Sequence, residues 1–174
     1  AKKKYALLDE KGKMKITGFE TVRRNWSILA KEVQEQVLRL ILEDKKSPAL
    51  EYVQAMIKEL KAGQVDISKL VLRTQITREL SQYISVGPHV YAARKRQAQG
   101  EKIYPGMVID YFIAKGSGLV RERAALPEEA RPYDPDYYLY HQLLPSVIGI
   151  FDVVGITEDE ILGRSKQMGL GKFF

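Results

Sequence analysis

Apolar and polar positions change period several times along this chain, and each change marks an expected element. Lys2 to Leu8 and Lys13 to Phe19 alternate with period two on either side of the turn signal Asp9-Glu10-Lys11-Gly12, which predicts a β-hairpin. From Trp26 or Ser27 to about Glu43 the apolar residues Leu29, Val33, Val37, Leu40 and Ile41 recur at helical spacing, with Asn25 or Ser27 as the N-cap. Ser47-Pro48 predicts a second cap and start; its stripe is Leu50, Val53, Ile57 and Leu60, and Gly63 ends it. The short connection predicts antiparallel packing of these two helices.

Further along, Leu70 to Ile76 is rich in β-formers and reads as a strand, followed by a helical turn through Glu79 to Tyr83. Gly87-Pro88 opens a helix that Gly100 closes. Met107 to Ala114 and Leu119 to Ala125 flank Lys115-Gly116-Ser117-Gly118 and predict a small second hairpin. Asp134-Pro135 starts a long helix in which Pro145 forces a kink or a break before Gly155. Thr157 and Glu160 have capping-box spacing for a last short helix. The expected fold class is α+β, mainly helical.

Composition narrows the chemistry. A chain of 174 residues with 45% apolar residues has the length and make-up of one ordinary domain. It has no Cys and only two His, at 89 and 141, which removes thiol chemistry and zinc ribbons. No run approaches the roughly 18 apolar residues of a membrane span, and no apolar signal core follows Ala1 to Lys4. The expectation is a soluble cytoplasmic protein without a membrane partner. The start at Ala1 reads either as a natural terminus after Met removal or as a cut from a longer chain.

Charge is uneven. Residues 1–24 hold eight bases and three acids, and residues 73–102 hold six bases and two acids, whereas residues 134–160 hold six acids and no base. Two basic blocks with the acids segregated elsewhere suit a polyanion on one side of the molecule. Asp134 and Asp136 form a D-x-D, and Glu158-Asp159-Glu160 an acidic run; both are better explained as helix N-terminal acids than as a metal site. The tyrosines at 133, 137, 138 and 140 have the spacing of packing residues rather than of base-stacking ones.

Short motifs give the chain its functional reading. Gln167-Met168-Gly169-Leu170-Gly171-Lys172-Phe173-Phe174 fits Q-x-x-[ILM]-x-x-aromatic-aromatic and resembles the peptide by which replication proteins bind the sliding clamp. One tight helical turn would present Leu170, Phe173 and Phe174 to an apolar pocket while Gln167 reaches a polar niche. Lys2-Lys3-Lys4-Tyr5, then Val22-Arg23-Arg24-Asn25-Trp26, Gln75-Ile76-Thr77-Arg78, Gly87-Pro88-His89-Val90, Pro105 to Ile109, Lys115 to Gly118 and Tyr137-Tyr138 follow in order. Together they resemble the archaeal family B DNA polymerases, from the palm edge through the thumb to the clamp-binding tail.

That resemblance implies a palm-edge hairpin and linker at 1–25, a thumb domain at 26–165 and a clamp-binding tail at 166–174. It implies that Lys2, Lys3, Lys4, Tyr5, Arg23 and Arg24 meet duplex DNA near the primer end, and that Thr77, Arg78, His89, Lys115 and Gln142 touch its backbone further along. Lys and Arg neutralise phosphates whatever the base sequence, as a polymerase requires. These cations are expected to converge in one concave cradle. Asn25 stands where the family has Asp, and His141 where Asn is common.

The catalytic motifs of the family, Tyr-x-Asp-Thr-Asp and Ser-Leu-Tyr-Pro-Ser, are absent, so no catalytic or metal-binding residue is assigned here. The resemblance implies Mg2+ in the complete polymerase, held by carboxylates of a larger catalytic polypeptide. Its partners would be primer-template DNA, that polypeptide and the sliding clamp, in a nucleoid-associated setting. The chain reads as a split subunit or an excised fragment; the alternative is a stand-alone DNA- and clamp-binding accessory protein. A metal-dependent phosphohydrolase using Asp134 and Asp136 is the third and weakest reading.

Overall fold

A computed structural model describes residues 4–17 and 25–164. Strands β1 (Tyr5–Leu8) and β2 (Met14–Thr17) pair antiparallel, with Tyr5 opposite Thr17 and Leu8 opposite Met14. The turn is held by Asp9, whose Oδ1 accepts from the amides of Lys11 and Lys13, and Gly12 supplies the positive φ of 74°. This is the first predicted hairpin.

Helix α1 (Ile28–Leu42) buries Leu29, Val33, Val37 and Leu38, at roughly 1.5 to 3 kcal/mol for each such side chain. Its N-cap is Ser27, whose Oγ accepts from the Ala30 amide at 3.2 Å, which decides between the two expected caps. Helix α2 (Lys46–Lys61) starts earlier than the Ser47-Pro48 signal, with Lys45 in the cap position and no side-chain cap bond. The physical reason lies in the turn. Asp44 takes φ 60°, and the Lys45 amide bonds back to the Leu40 carbonyl at 2.8 Å, so the motif that ends α1 also places the first residue of α2. Pro48 falls in the first turn, where a missing N–H costs nothing.

Strand β3 (Leu72–Gln75) pairs antiparallel with β4 (Val108–Ile113), from Leu72 opposite Tyr111 to Gln75 opposite Val108. The second predicted hairpin forms only in its last rungs: β5 (Ala124–Ala125) meets Phe112 and Ile113, while Val120–Arg123 is a 3-10 turn. Thus β4 is the centre of a three-stranded sheet whose main partner comes from far back in the chain. Helix α3 (Pro88–Ala98) lies over this sheet and turns Val90, Ala92 and Ala93 into the core.

Asp134 caps α4 (Pro135–Tyr138), which continues through a π-helical turn, Leu139–Leu143, into α5 (Leu144–Val153). The helix neither breaks nor ends at Pro145. The wider turn just before it accommodates a residue that has no N–H and whose ring would strike the carbonyl four residues back. Helix α6 (Glu158–Ile161) has the predicted capping box between Thr157 and Glu160. The architecture is α+β with two small antiparallel sheets.

Tyr133, Tyr137 and Tyr138 pack in or against the core as expected, whereas Tyr140 is exposed and accepts from Arg164 at 3.2 Å. Tyr133 Oη donates to the Leu60 carbonyl at 2.7 Å, and Tyr138 Oη donates to Leu70 at 2.8 Å while accepting from the Ile113 amide at 3.0 Å. Tyr138 packs edge-on to both Tyr133 and Tyr137. Burial pushes the Tyr137 phenol up to about 12.

Candidate nucleic-acid interface

Three of the predicted backbone-contacting residues meet at one unpredicted side chain. Ile76 ends the β3 extension by bonding to Met107 and Gly106, so Thr77 and Arg78 project just past the sheet. The 3-10 turn Leu80–Gln82 then brings Tyr83 back beneath them. Tyr83 Oη accepts from the Thr77 amide at 2.9 Å and lies 3.3 Å from Thr77 Oγ1. The Arg78 guanidinium stands 5.5 Å from the centre of the Tyr83 ring, and the His89 imidazole meets that ring edge-on at 5.8 Å.

His89 is the second residue of α3, and its ring folds back over Gly87. A Cβ at position 87 would stand 3.0 Å from the imidazole Cε1 and Nδ1, so a larger residue there would press the ring outward by a few tenths of an ångström. Desolvation holds the His89 pKa below its ordinary value, so the ring is neutral at neutral pH. Burial alone would raise the Tyr83 phenol; the Thr77 and Arg78 hydrogen bonds and the Arg78 charge outweigh it and bring it below the ordinary tyrosine value. Thr77 and Arg78 are exposed, which leaves hydroxyl and guanidinium free to meet a ligand.

Lys115 sits at the other end of the same sheet. Its amide donates to Pro132 at 2.8 Å, and Ala114 pairs with Tyr133 as an isolated bridge. Beneath the loop, the Arg123 side chain forms an ion pair with Asp134 and donates to the Ala114 carbonyl at 3.1 Å; its stem touches the space beside Gly116. Gly118 turns the loop with φ +89°. Met107, opposite Ile76, and Lys115 stand just beyond the two ends of β4, so Arg78 and Lys115 lie beyond opposite ends of this strand pair. They occupy opposite ends of one sheet rather than one cluster.

Gln142, expected on the duplex backbone, is buried in the π-helical turn. Its Oε1 accepts from the Ser27 amide at 2.9 Å and its Nε2 donates to the Asn25 carbonyl at 3.5 Å. The side-chain amide is thus buried and bonded to the backbone at the N-terminus of α1. His141, one residue earlier, is exposed and stacks on Tyr137 with 5.0 Å between ring centres. Lys4 and Tyr5 are exposed at the start of β1. Lys2, Lys3, Arg23, Arg24 and the tail residues Gln167, Leu170, Phe173 and Phe174 lie outside the described residues.

The basic block at 73–102 is partly neutralised in three dimensions. Arg73 pairs with Asp110 at 3.3 Å, Lys95 with Glu129 at 3.0 Å, and Arg96 with both Glu128 and Glu101. Burial opposes the Glu129 charge, but the Leu126 amide and Lys95 hold its carboxyl below the usual range. Among the described residues no three His, Asp or Glu side chains converge in a way that could hold a metal ion. Asp134 in particular accepts from the Asp136 and Tyr137 amides and pairs with Arg123, so the D-x-D is an N-cap. The residues that sequence reasoning missed are Tyr83 and Arg123, and no local period marks either.

The family model described as DNA polymerase family B matches residues 1–154. A DNA polymerase of Thermococcus aggregans is 43% identical over 98% of this chain and 10% of its own length. One of Pyrococcus glycovorans is 42% identical over 97% of this chain and 23% of its own. Among solved structures, the family B DNA polymerase from the hyperthermophilic archaeon Pyrobaculum calidifontis superposes with a TM-score of 0.75 and 36% identity, over 91% of this chain and 21% of that one. The chain therefore spans between a tenth and a quarter of the relatives it matches.

Proposed function

The chain belongs to DNA polymerase family B, and on that premise we propose that it is the thumb portion of such a polymerase, entered through a palm-edge hairpin. It grips primer-template duplex through the sugar-phosphate backbone, and its tail tethers the enzyme to the sliding clamp. Lys4 and Tyr5 extend the grip toward the primer end together with Lys2, Lys3, Arg23 and Arg24. The clamp is engaged by Gln167, Leu170, Phe173 and Phe174.

The observation that carries this reading is the grouping of Thr77, Arg78 and His89 on Tyr83. A guanidinium, a hydroxyl and a neutral imidazole at the opening of a helix form a donor set suited to phosphate oxygens and indifferent to base identity. Lys115 adds a second cation beyond the opposite end of the same strand pair, placed to meet a different phosphate along a duplex. Phosphoryl transfer falls to a larger polypeptide that carries the family's aspartates and holds Mg2+, since the Tyr-x-Asp-Thr-Asp and Ser-Leu-Tyr-Pro-Ser motifs do not occur in this sequence. A free-standing accessory protein is less favoured, since the relatives matched are polymerases.

The test is salt-dependent binding of duplexes of unrelated sequence by the full chain. Each of Arg78→Ala and Lys115→Ala should weaken all duplexes alike and lower the slope of log K against log salt by about one. A sequence-dependent loss, or a slope unchanged in both variants, would refute the backbone grip. The chain alone should extend no primer.

A further inference from the structure

Arg78 is a long, flexible cation on an exposed segment, yet it is held in one place, and so is the hydroxyl beside it. The holder is Tyr83, which uses its oxygen for Thr77, its ring face for Arg78 and a T-shaped ring contact for His89. We infer that Tyr83 is the positioning residue of this grip, fixing Thr77, Arg78 and His89 as one preformed receptor for a phosphodiester of duplex nucleic acid. The inference rests on the reading of Arg78 as a backbone contact and adds the residue that makes it effective.

The argument is one of ordering. A free arginine gives up rotamer freedom when it binds a phosphate, whereas an arginine already lying on an aromatic face has given up much of it beforehand. The Thr77 amide, tied to the phenol at 2.9 Å, fixes the backbone from which Arg78 springs. Gly87 allows the His89 ring to close the far side. Ile84, next to Tyr83, is 99% exposed; the segment is anchored by Ile76 and Leu80 in the core and by Tyr83 and Val86 packed against it, while Thr77 and Arg78 stay exposed. Tyr83 carries that anchoring outward, to the exposed Thr77 and Arg78 side chains that burial does not reach.

The experiment is a double-mutant cycle on duplex binding by the full chain, with the salt slope measured for each variant. Arg78→Ala should lower the slope by about one. Tyr83→Leu should weaken binding by about two- to twelvefold, the effect of freeing one immobilised side chain. Its combination with Arg78→Ala should weaken binding by clearly less than the product of the two single effects, the remainder being the loss of Thr77 and His89 positioning. Tyr83→Phe keeps the ring and loses the oxygen, so it should weaken binding less and leave the slope as in the parent.

Additive losses, or Tyr83→Leu binding as the parent does while Arg78→Ala is impaired, would overturn the positioning role and leave the grip standing. No effect of Arg78→Ala would overturn both. Because Tyr83 is half-buried at the surface, thermal melts should show all variants folded; Tyr83→Phe settles the matter should Tyr83→Leu not fold.

Discussion

Replacing Gln142 by Met separates two roles that the same residue has been given. The side chains are similar in length, but Met has no strong donor or acceptor. In the structure Gln142 Oε1 is the partner of the Ser27 amide, and Ser27 is 0% exposed, so after the change that N–H faces neither protein nor water. Such an orphaned group costs about 1 to 3 kcal/mol. The Asn25 carbonyl lies on an exposed residue and can turn to solvent, so it adds little. For a chain of this size the loss corresponds to a fall in Tm of about 2 to 12 °C. Urea unfolding should show a lower midpoint with unchanged slope. Duplex binding by the folded variant should keep the parent's salt slope. Unaltered stability together with weakened binding would refute the argument and return Gln142 to the duplex.

Other residues give equally direct outcomes. Tyr138→Phe removes the single oxygen that serves both the Leu70 carbonyl and the Ile113 amide, and should cost about 2 to 4 kcal/mol by calorimetry or denaturant titration. Arg123→Ala leaves Asp134 without its cation in an ion pair whose side chains are only 12% and 16% exposed, and should cost roughly 3 kcal/mol. Burial opposes the Asp134 charge, but Arg123 and the Tyr137 amide hold its carboxyl below the usual range; its contribution is present above about pH 4 and is lost as pH falls through the lowered value. Asp134→Asn should flatten that acid limb. The His89 pKa is lowered by desolvation, so the unfolded chain binds the proton first, and stability should decline as pH falls below about 6.5 until the folded value is reached. His89→Gln should abolish that part of the profile.

What could be read from the sequence was what is locally encoded. The first hairpin, α1, α3 and the Thr157 capping box depend on residues within one or two turns of each other, and alternation, stripe or cap spacing marks each. What could not be read depends on partners far away. The segment Met107 to Ala114 ahead of the Lys115–Gly118 turn reads as a strand, but nothing in it shows that Leu72–Gln75 is its chief neighbour. The π-helical turn arises from a conflict between Pro145 and a helix that tertiary packing keeps intact. Gln142 finds its partner 115 positions back in the chain, which no spacing rule reaches. Within the site, Thr77, Arg78, His89 and Lys115 were legible as motif positions. Tyr83 was not, because its role comes from a turn that folds it under residues already passed.

Net charge is the weakest guide to the interface, and its failure can be tested. Residues 73–102 carry six bases, but Arg73, Lys95 and Arg96 each face an acid, and a cation already paired releases few counterions when a duplex approaches. Arg78 faces an aromatic ring instead and keeps its full charge for a phosphate. The two kinds of cation should therefore respond oppositely to truncation. Lys95→Ala and Arg96→Ala should lower stability by up to about 1 kcal/mol, with the salt slope of duplex binding unchanged. Arg78→Ala should lower the slope by about one and leave stability within about 0.5 kcal/mol of the parent. Equal slopes for all three variants would mean that diffuse charge, not placed donors, holds the duplex.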